Sequence, residues 1–271
     1  MNEFNAATTG YDPRNALWLG KVAALAYKDI TSVVQALPGW DVTPFAHEAT
    51  DTWGFVAGNS QLIVISFRGA EPDKLKAWLT NLKAELVDGP VGKVHKGFHE
   101  AIDGVWQEFV TILRRMRQNG QNIWITGHGL GAALALLASV KLLNEKVTTS
   151  IEGLYTFGQP RTGDTDFAAW LDSGMKSRTF RFVNNNDIVP HVPLPPLYKH
   201  AGTFFYFDSD GKLQGDVGFW RFLKERLKGK VKSLFDKEIV PDEIYDHSMK
   251  SYLTRLENNV GVTTAPLPLS D

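Results

Sequence analysis

The most constraining feature of the chain is a short apolar strand that runs through a glycine-rich turn into an apolar helix. Residues 122–126, NIWIT, are typical of a strand, and residues 132–143 are typical of a buried helix. Between them lie Gly127, Gly129 and Gly131. Apolar strands alternate with helical segments along the chain, which predicts a mainly parallel sheet with helices on both faces. Ligands of such sheets bind at the carboxyl ends of strands, so the candidate positions are the turns after residues 68, 126, 158 and 183.

Composition narrows the chemistry. None of the 271 residues is cysteine, which excludes disulfides, thiolate metal sites and a cysteine nucleophile. A formal charge of −1 gives no overall basic field that would attract nucleic acid. His95 and His99 are four residues apart, but they lie across a predicted strand-to-helix junction and lack an acidic third ligand. We therefore expect no metal and no cofactor.

The chain shows no division into separate parts. We expect residues 1–271 to form a single domain, because no linker clearly separates two apolar cores. The first twenty residues have neither a basic region nor an apolar run, so as written they are not a signal peptide. A cytoplasmic location and secretion with the signal removed both stay open.

The glycine turn fits three interpretations. As a phosphate loop of the G-x-G-x-x-A type, it would need an acidic residue at the end of the next strand, whereas Glu145 falls at the end of the helix. As a nucleophile elbow of the G-x-S-x-G type, it has Gly127 and Gly131 for close backbone approach, His128 as a variable residue, and Gly129 at the serine position. The third interpretation is a tight turn with no chemistry.

Two residues further along favour the elbow. Asp187 follows the predicted strand at 179–183, and His247 lies sixty residues later. A carboxylate that hydrogen-bonds a histidine fixes its tautomer and stabilises the imidazolium that forms when it takes a proton from serine. The order nucleophile, acid, histidine is that of the α/β-hydrolases.

Several separate motifs make the chain resemble the fungal-type (class 3) triacylglycerol lipases over about residues 14–256. The motifs are ISFRG at 65–69, WLTN at 78–81, VHKGF at 94–98, ITGHGLG at 125–131, TFGQPR at 156–161, NDIVP at 186–190, YKHAG at 198–202 and DH at 246–247. The resemblance implies an α/β-hydrolase fold and fatty-acyl glycerol esters as substrates. It also implies a catalytic triad of Asp187, His247 and the residue at position 129.

Members of that family carry serine where this chain has Gly129. Glycine offers no hydroxyl for His247 to activate, so we predict that the chain as written is inactive as a serine hydrolase. Three explanations stay open: an engineered replacement that removes activity, a natural non-catalytic protein that binds acyl lipids, or another nucleophile. Against the last, Ser66 lies within a predicted strand and Ser248 merely follows the histidine.

The oxyanion hole departs from the family as well. The residue after Phe-Arg-Gly is usually serine or threonine in the family, and both its N–H and its hydroxyl help to stabilise the oxyanion; here it is Ala70. Alanine keeps the N–H and loses the hydroxyl. The second donor is expected to be the N–H of Leu130, which follows the nucleophile position.

Residues 71–87 are the candidate lid over the site. This segment follows the predicted oxyanion turn and carries Leu75, Trp78, Leu79 and Leu82. In the family, this region holds the movable lid or its hinge. The alternative is an ordinary helix that packs on the sheet.

Residues 213–238 predict a basic amphipathic cap or an interfacial helix. Apolar residues recur at helical spacing from residue 220 to residue 234, and the twelve residues from 221 to 232 contain six lysines or arginines and one glutamate. A basic amphipathic helix can lie on an anionic membrane surface. Residues 219–235 are therefore a candidate for adsorption to a lipid interface, the alternative being that the apolar stripe packs on the core.

Overall fold

The computed structural model describes residues 4–8, 10–215 and 241–261. In these ranges the strands are β1 (Asp41–His47), β2 (Thr52–Gly58), β3 (Leu62–Phe67), β4 (Leu86–Asp88), β5 (Lys93–His95), β6 (Asn122–His128), β7 (Gly153–Phe157), β8 (Thr179–Asn184), β9 (Thr203–Phe207) and β10 (Leu213–Gln214). The helices are α1 (Pro13–Leu25), α2 (Ile30–Ala36), α3 (Leu75–Asn81), α4 (Lys96–Met116), α5 (Leu130–Asn144), α6 (Thr165–Met175), α7 (Pro241–His247) and α8 (Met249–Asn259).

A sheet of eight strands, in the order β1-β2-β3-β6-β7-β8-β9-β10, organises the described part of the chain. Strands β3, β6, β7, β8 and β9 run parallel, whereas β1, β2 and β10 pair antiparallel at the two edges. The register places Phe67 beside Gly127, His128 beside Phe157 and Phe157 beside Phe182. The turns that follow β3, β6, β7 and β8 therefore meet along one edge of the sheet.

Helices cover both faces of this sheet, as the sequence predicts. Ile123 and Ile125 of β6 pack against the side that carries α4, α5 and α6. The intervening Trp124 packs against the side that carries α1 and α8. Because successive side chains of a strand point to opposite faces, a strand buried on both sides reads as one apolar run.

Helix α5, which follows the glycine turn, is buried on almost every side. Its residues from Gly131 to Val140 are all buried. A helix that is apolar on every side belongs in the core of a protein. Its first turn lies directly after β6, so the turn at 129 is fixed between two buried elements.

The structure corrects the sequence analysis at one end of the predicted basic segment. Leu213 and Gln214 form the edge strand β10, which pairs with Phe207 and Tyr206, and are not helical. A strand of two residues is too short for its apolar periodicity to be distinguished from that of a helix. The rest of the segment, including residues 219–235, lies outside the described residues. In the described ranges, no helix is long and apolar enough to cross a membrane.

Candidate active site

The turn between β6 and α5 has the geometry of a sharp elbow. Gly129 adopts φ 56° and ψ −122°, a conformation that residues with a side chain rarely adopt. The neighbouring glycines permit close backbone approach: a Cβ atom on Gly127 would meet the main chain of Gly131, and one on Gly131 would meet the main chain of Phe67. Position 129 therefore stands at the carboxyl edge of the sheet, between β6 and α5.

Asp187 and His247, predicted as acid and base, are hydrogen-bonded to each other. Asp187 follows β8 and His247 ends α7. The Nδ1 atom of His247 lies 3.0 Å from Oδ1 and 2.9 Å from Oδ2 of the carboxylate. Both side chains are buried, at 0% exposure for Asp187 and 4% for His247. A carboxylate in this position holds the imidazole with its Nδ1 protonated and leaves Nε2 free to accept a proton.

Two further groups fix the carboxylate. The hydroxyl of Tyr252 donates to Oδ2 at 2.6 Å, and the N–H of Val189 donates to Oδ1 at 2.9 Å. Burial raises the pKa of Tyr252 well above its ordinary value, and the charge of Asp187 adds to this, so the hydroxyl stays protonated. Sequence reasoning missed Tyr252, because nothing in the spacing of a tyrosine on α8 indicates which strand end it reaches.

Asn184 ties the histidine segment to the sheet. Its side-chain amide donates to the carbonyl oxygen of Asp246 at 2.9 Å and to the hydroxyl of Ser251 at 2.8 Å. Its main-chain N–H donates to the hydroxyl of Tyr252 at 3.0 Å. The last residue of β8 thus holds α7 and α8 in register with Asp187, three residues beyond it.

The carboxyl group of Asp187 is ionised over the pH range in which most proteins are stable. Burial by itself would raise its pKa, but the charge of His247 and the hydrogen bonds from His247, Tyr252 and Val189 outweigh burial, and the pKa lies below its ordinary value. The pair therefore has the charge distribution that a general base needs.

The free nitrogen of the histidine points at the elbow. A Cβ atom built on Gly129 would lie 2.8 Å from Nε2 of His247 and 3.2 Å from its Cε1. The structure thus brings together positions 129, 187 and 247 from three separate elements. A serine at position 129 would have its side chain against this nitrogen, and the imidazole ring would have to shift to admit it.

Gly158, at the end of β7, leaves room for the acid and the histidine. It adopts φ 61°, and a Cβ atom there would lie 2.8 Å from Oδ2 of Asp187 and from Nδ1 of His247. The sequence predicts a strand end at this residue but does not indicate a function for it. Its place beneath the hydrogen-bonded pair is visible only in the folded chain.

Substituting Gly158 by alanine should destabilise the fold more than the same change at Gly120. Both residues have positive φ, 61° and 67°, but nothing lies within 4 Å of a Cβ on Gly120. We expect the strained backbone to cost about 1–3 kcal/mol at either position, and the crowded Asp187–His247 pair to add to this at 158 only. Urea unfolding of Gly158→Ala and Gly120→Ala measures the difference, and equal losses would contradict the packing argument.

Comparisons with known proteins agree on one family. A family profile described as class 3 lipase matches residues 64–196. A lipase of Rhizomucor miehei is 36% identical over 67% of this chain and 51% of that protein, and a triacylglycerol lipase of Arabidopsis thaliana is 32% identical over 56% and 38%. A solved triacylglycerol lipase, whose catalytic centre is a serine protease triad, superposes with a TM-score of 0.63 and 30% identity over 73% of this chain and 82% of that one.

The chain belongs to the class 3 lipase family. Its fold is the α/β-hydrolase fold, which confirms the fold predicted from the sequence. A lipase from Rhizopus microsporus var. chinensis also superposes, with a TM-score of 0.63 and 29% identity over 72% of this chain and 74% of that one. The chain spans only 38% to 51% of the length of the two curated relatives above.

In this chain, His128 connects the elbow to the histidine segment through directed hydrogen bonds. Its ring stacks on that of His247, with centroids 4.4 Å apart, and its Nε2 lies 2.6 Å from the carbonyl oxygen of His247. A carbonyl oxygen only accepts, so Nε2 carries the proton and Nδ1 accepts from the hydroxyl of Tyr27 at 2.7 Å.

These hydrogen bonds require a neutral His128, so we predict that acid lowers the stability of the folded protein through this residue. Burial lowers the pKa of His128 from 6.5 to about 3, so the unfolded chain binds a proton below pH 6.5 that the folded chain does not. The stability due to neutral His128 is therefore complete above pH 6.5 and is lost as pH falls toward 3. Between pH 7 and pH 5 we expect a loss of about 2 kcal/mol from this residue.

Urea unfolding at pH 7 and pH 5 measures this loss. His128→Gln carries no titrating group, so its stability should fall by about 2 kcal/mol less than that of the unaltered chain over the same interval. His95, whose pKa burial lowers to about 4, remains in both proteins and cancels from the comparison. An identical fall in the two proteins would contradict the prediction.

The two candidate oxyanion donors belong to the turns that follow β3 and β6. Ala70 follows Gly69, and Leu130 follows Gly129 at the start of α5. In the described ranges, the N–H groups of Ala70 and Leu130 donate to no main-chain or side-chain acceptor. Arg68 anchors the loop before Ala70 through ion pairs to Asp51 at 2.6 Å and Glu71 at 2.9 Å.

Two clefts lie beside the site, and they share no lining residue. The first, here the His247 cleft, has a volume of about 750 Å³ and is lined by residues from five parts of the chain: 24–28, 70–75, His128, 244–250 and 253–257. The second, here the Leu130 cleft, has a volume of about 530 Å³ and is lined by Trp78, Leu82, His95, Phe98, Leu130 and their neighbours.

Helix α3 contributes to both clefts and forms the middle of the candidate lid. Leu75 is buried, and Trp78 and Leu79 pack with it against Ile188 and Val189, directly after Asp187. Leu82 lies just beyond the helix and packs on the core. These contacts place the segment against the residues that follow Asp187, and its action as a lid stays a prediction.

The other serines noted in the sequence have structural partners. Ser66 is buried in β3, and its hydroxyl donates to the carbonyl oxygen of Val22 at 3.3 Å. Ser248 caps α8 by accepting the N–H of Ser251. Among the described residues, no group of three histidines or carboxylates could hold a metal ion.

Proposed function

We propose that the chain is a lipase-type carboxylic ester hydrolase for fatty-acyl glycerol esters whose nucleophile is missing. The observation that carries the proposal is the buried Asp187–His247 pair with Nε2 directed at position 129. A triacylglycerol lipase of the same fold has a serine protease triad at its catalytic centre. Leu130, Trp78 and the other apolar residues that line the clefts are suited to acyl chains.

With a serine at position 129, each group has a defined task. Nε2 of His247 takes the hydroxyl proton as the serine oxygen bonds to the ester carbon, and the carbonyl electron pair moves onto oxygen. The N–H groups of Ala70 and Leu130 stabilise that oxyanion. The bond to the alcohol oxygen then breaks, and the same proton passes from His247 to the leaving alcohol. Water repeats the sequence and releases the fatty acid.

With glycine at position 129 the nucleophilic hydroxyl is missing, whereas the other proposed groups of the site are present. Asp187, His247 and the two N–H donors do not depend on the side chain at position 129. Ala70 also lacks a hydroxyl, so the oxyanion hole relies on the two N–H groups alone. The chain as written is therefore expected to hydrolyse esters only at the low rate that binding and the oxyanion hole support.

A non-catalytic protein that binds acyl lipids is the second candidate. The observation that favours it is that both clefts are present although position 129 has no side chain. Restoring serine distinguishes the two, because hydrolysis of p-nitrophenyl esters and triacylglycerol emulsion should return only if the rest of the machinery is intact. Adsorption to a lipid interface through residues 219–235 stays a prediction that lies outside the described residues.

A further inference from the structure

A short loop, residues 188–193, follows Asp187 and carries one of the groups that hold its carboxylate. The N–H of Val189 donates to Oδ1 of Asp187 at 2.9 Å. Val189–His191 form one turn of 3₁₀-helix. The last carbonyl groups of a helical turn have no partner within it, so their positions depend on donors from elsewhere in the fold. The place of the Val189 N–H therefore depends on what holds the carbonyl side of this loop.

Arg161 supplies donors to that side of the loop. Its Nη1 atom donates to the carbonyl oxygens of His191 at 2.6 Å and Pro193 at 2.9 Å. Its main-chain N–H donates to the carbonyl oxygen of Val192 at 2.9 Å. One residue thus binds three successive carbonyl groups, and a cation is favourable at the carbonyl end of a helical turn.

The charge of Arg161 serves these carbonyl groups rather than a carboxylate. Burial lowers the pKa of its guanidinium to about 10, so the group is still charged at neutral pH, and no carboxylate among the described residues offsets the effect of burial. Burial also lowers the pKa of a second arginine, Arg181, to about 9, and the charge of Arg161 contributes to that shift. A cation in such a place lowers stability unless its hydrogen bonds compensate. The contacts to the loop are the compensation that the structure shows.

We infer that Arg161 is a positioning residue for the acid of the site. It fixes residues 188–193, so that the N–H of Val189 holds Asp187 against Nδ1 of His247. The inference rests on the proposed function, in which this pair activates the nucleophile. Arg161 lines neither the His247 cleft nor the Leu130 cleft. Its loss should therefore displace the carboxylate and slow proton transfer while the clefts in which the ester binds stay as they are.

Three variants test this position. Arg161→Met removes the side-chain donors and keeps a long side chain, whereas Arg161→Lys keeps a charged nitrogen with several N–H groups. Arg117→Met is the matched control. Arg117 also donates to a main-chain carbonyl group, that of Gln121 at 3.1 Å, and to the hydroxyl of Thr148 at 2.7 Å. It precedes β6 and so lies at the opposite edge of the sheet from the site. Urea unfolding shows whether each variant is folded.

Kinetics in the Gly129→Ser protein give the first measurement. Arg161→Met should lower kcat on p-nitrophenyl octanoate by about 100-fold and leave KM nearly unchanged, because the misplaced group acts on the reaction and not on binding. Arg161→Lys should recover most of this loss. Arg117→Met should keep kcat within a few-fold of the parent, even if it lowers the unfolding free energy as much as Arg161→Met does.

A second measurement needs no activity and uses the chain with Gly129. The proton on Nδ1 of a histidine that is bound to a carboxylate gives an NMR signal far downfield of the amide protons. This signal reports the hydrogen bond between Asp187 and His247 directly. We expect it in the unaltered chain, in Arg117→Met and in Arg161→Lys, and we expect it to broaden or vanish in Arg161→Met.

The outcomes separate this inference from the proposed function. If Gly129→Ser is inactive but Arg161→Met still removes the downfield signal, the proposed function is wrong and Arg161 positions the pair nonetheless. If the signal and kcat are the same in Arg161→Met as in Arg117→Met, the inference is wrong while the proposed function stands. A missing signal in the unaltered chain would also overturn the inference. Should Arg161→Met fail to fold, Arg161→Gln, which shortens the side chain and keeps an N–H₂ group, is measured against the same criteria.

Discussion

Gly129→Ser is expected to raise ester hydrolysis by a factor on the order of a thousand to a million over the unaltered chain. The hydroxyl would stand beside Nε2 of His247, which already has Asp187 behind it and faces position 129. The proposed acid, base and oxyanion donors belong to other positions, so we expect this one change to be sufficient. The initial rate on p-nitrophenyl octanoate, measured with equal amounts of folded protein, gives the ratio.

Gly129→Ala is the matched control for this result. It introduces the same Cβ atom, 2.8 Å from Nε2 of His247, and the same backbone strain, but no hydroxyl. Any rate that the alanine protein shares with the serine protein comes from binding and the oxyanion hole. If the serine protein is folded and no faster than the alanine protein, the missing hydroxyl is not the reason for inactivity, and the binding protein becomes the better interpretation.

The same substitution should make the protein less stable. A side chain at φ 56° and ψ −122° costs about 1–3 kcal/mol of unfolding free energy, and the imidazole ring must move slightly to admit it. Serine and alanine should pay this alike, since both carry a Cβ. The glycine in this chain thus relieves a strain that a serine nucleophile at the elbow imposes.

The parts of the site that the sequence predicts are those that depend on order along the chain. The strand–glycine–helix pattern at 122–143 locates the elbow because its glycines mark close backbone approach and its flanks are apolar on every side. Asp187 follows a strand in the expected order, and His247 follows it. Such patterns and their order can be read from the sequence alone, without knowledge of the fold.

The parts that the sequence did not predict depend on contacts between distant elements. Tyr27 and His128 are 101 residues apart, and Tyr252 and Asp187 are 65 apart, yet each pair shares a hydrogen bond. No periodicity indicates such a partner. Gly158 has the same origin, since its neighbours are the Asp187–His247 pair that comes from later segments. The partners of the Asp187–His247 pair are thus set by packing rather than by motif.

Asp187→Asn, made in the Gly129→Ser protein, should lower kcat by about 10⁴-fold with little change in structure. The asparagine amide can occupy the same space, but it cannot bear the charge that stabilises the imidazolium. Its N–H₂ group also favours the tautomer in which Nε2 of His247 is protonated and cannot accept the serine proton. Steady-state kinetics on p-nitrophenyl octanoate, with unfolding curves to show that the fold is retained, measures the effect.

Asp246→Asn is the matched control, because it tests whether the loss of any buried carboxylate near His247 lowers kcat. Asp246 is the other carboxylate beside His247 and is also buried, and burial raises its pKa. Its Oδ2 accepts hydrogen bonds from the side chain of Asn185 and the N–H of Asn186, and it makes no hydrogen bond to the imidazole ring. We expect Asp246→Asn to keep kcat within a few-fold of the parent. Only the carboxylate that holds Nδ1 of the histidine can set its tautomer. Equal losses of kcat in Asp246→Asn and Asp187→Asn would therefore contradict the assignment of Asp187 as the acid.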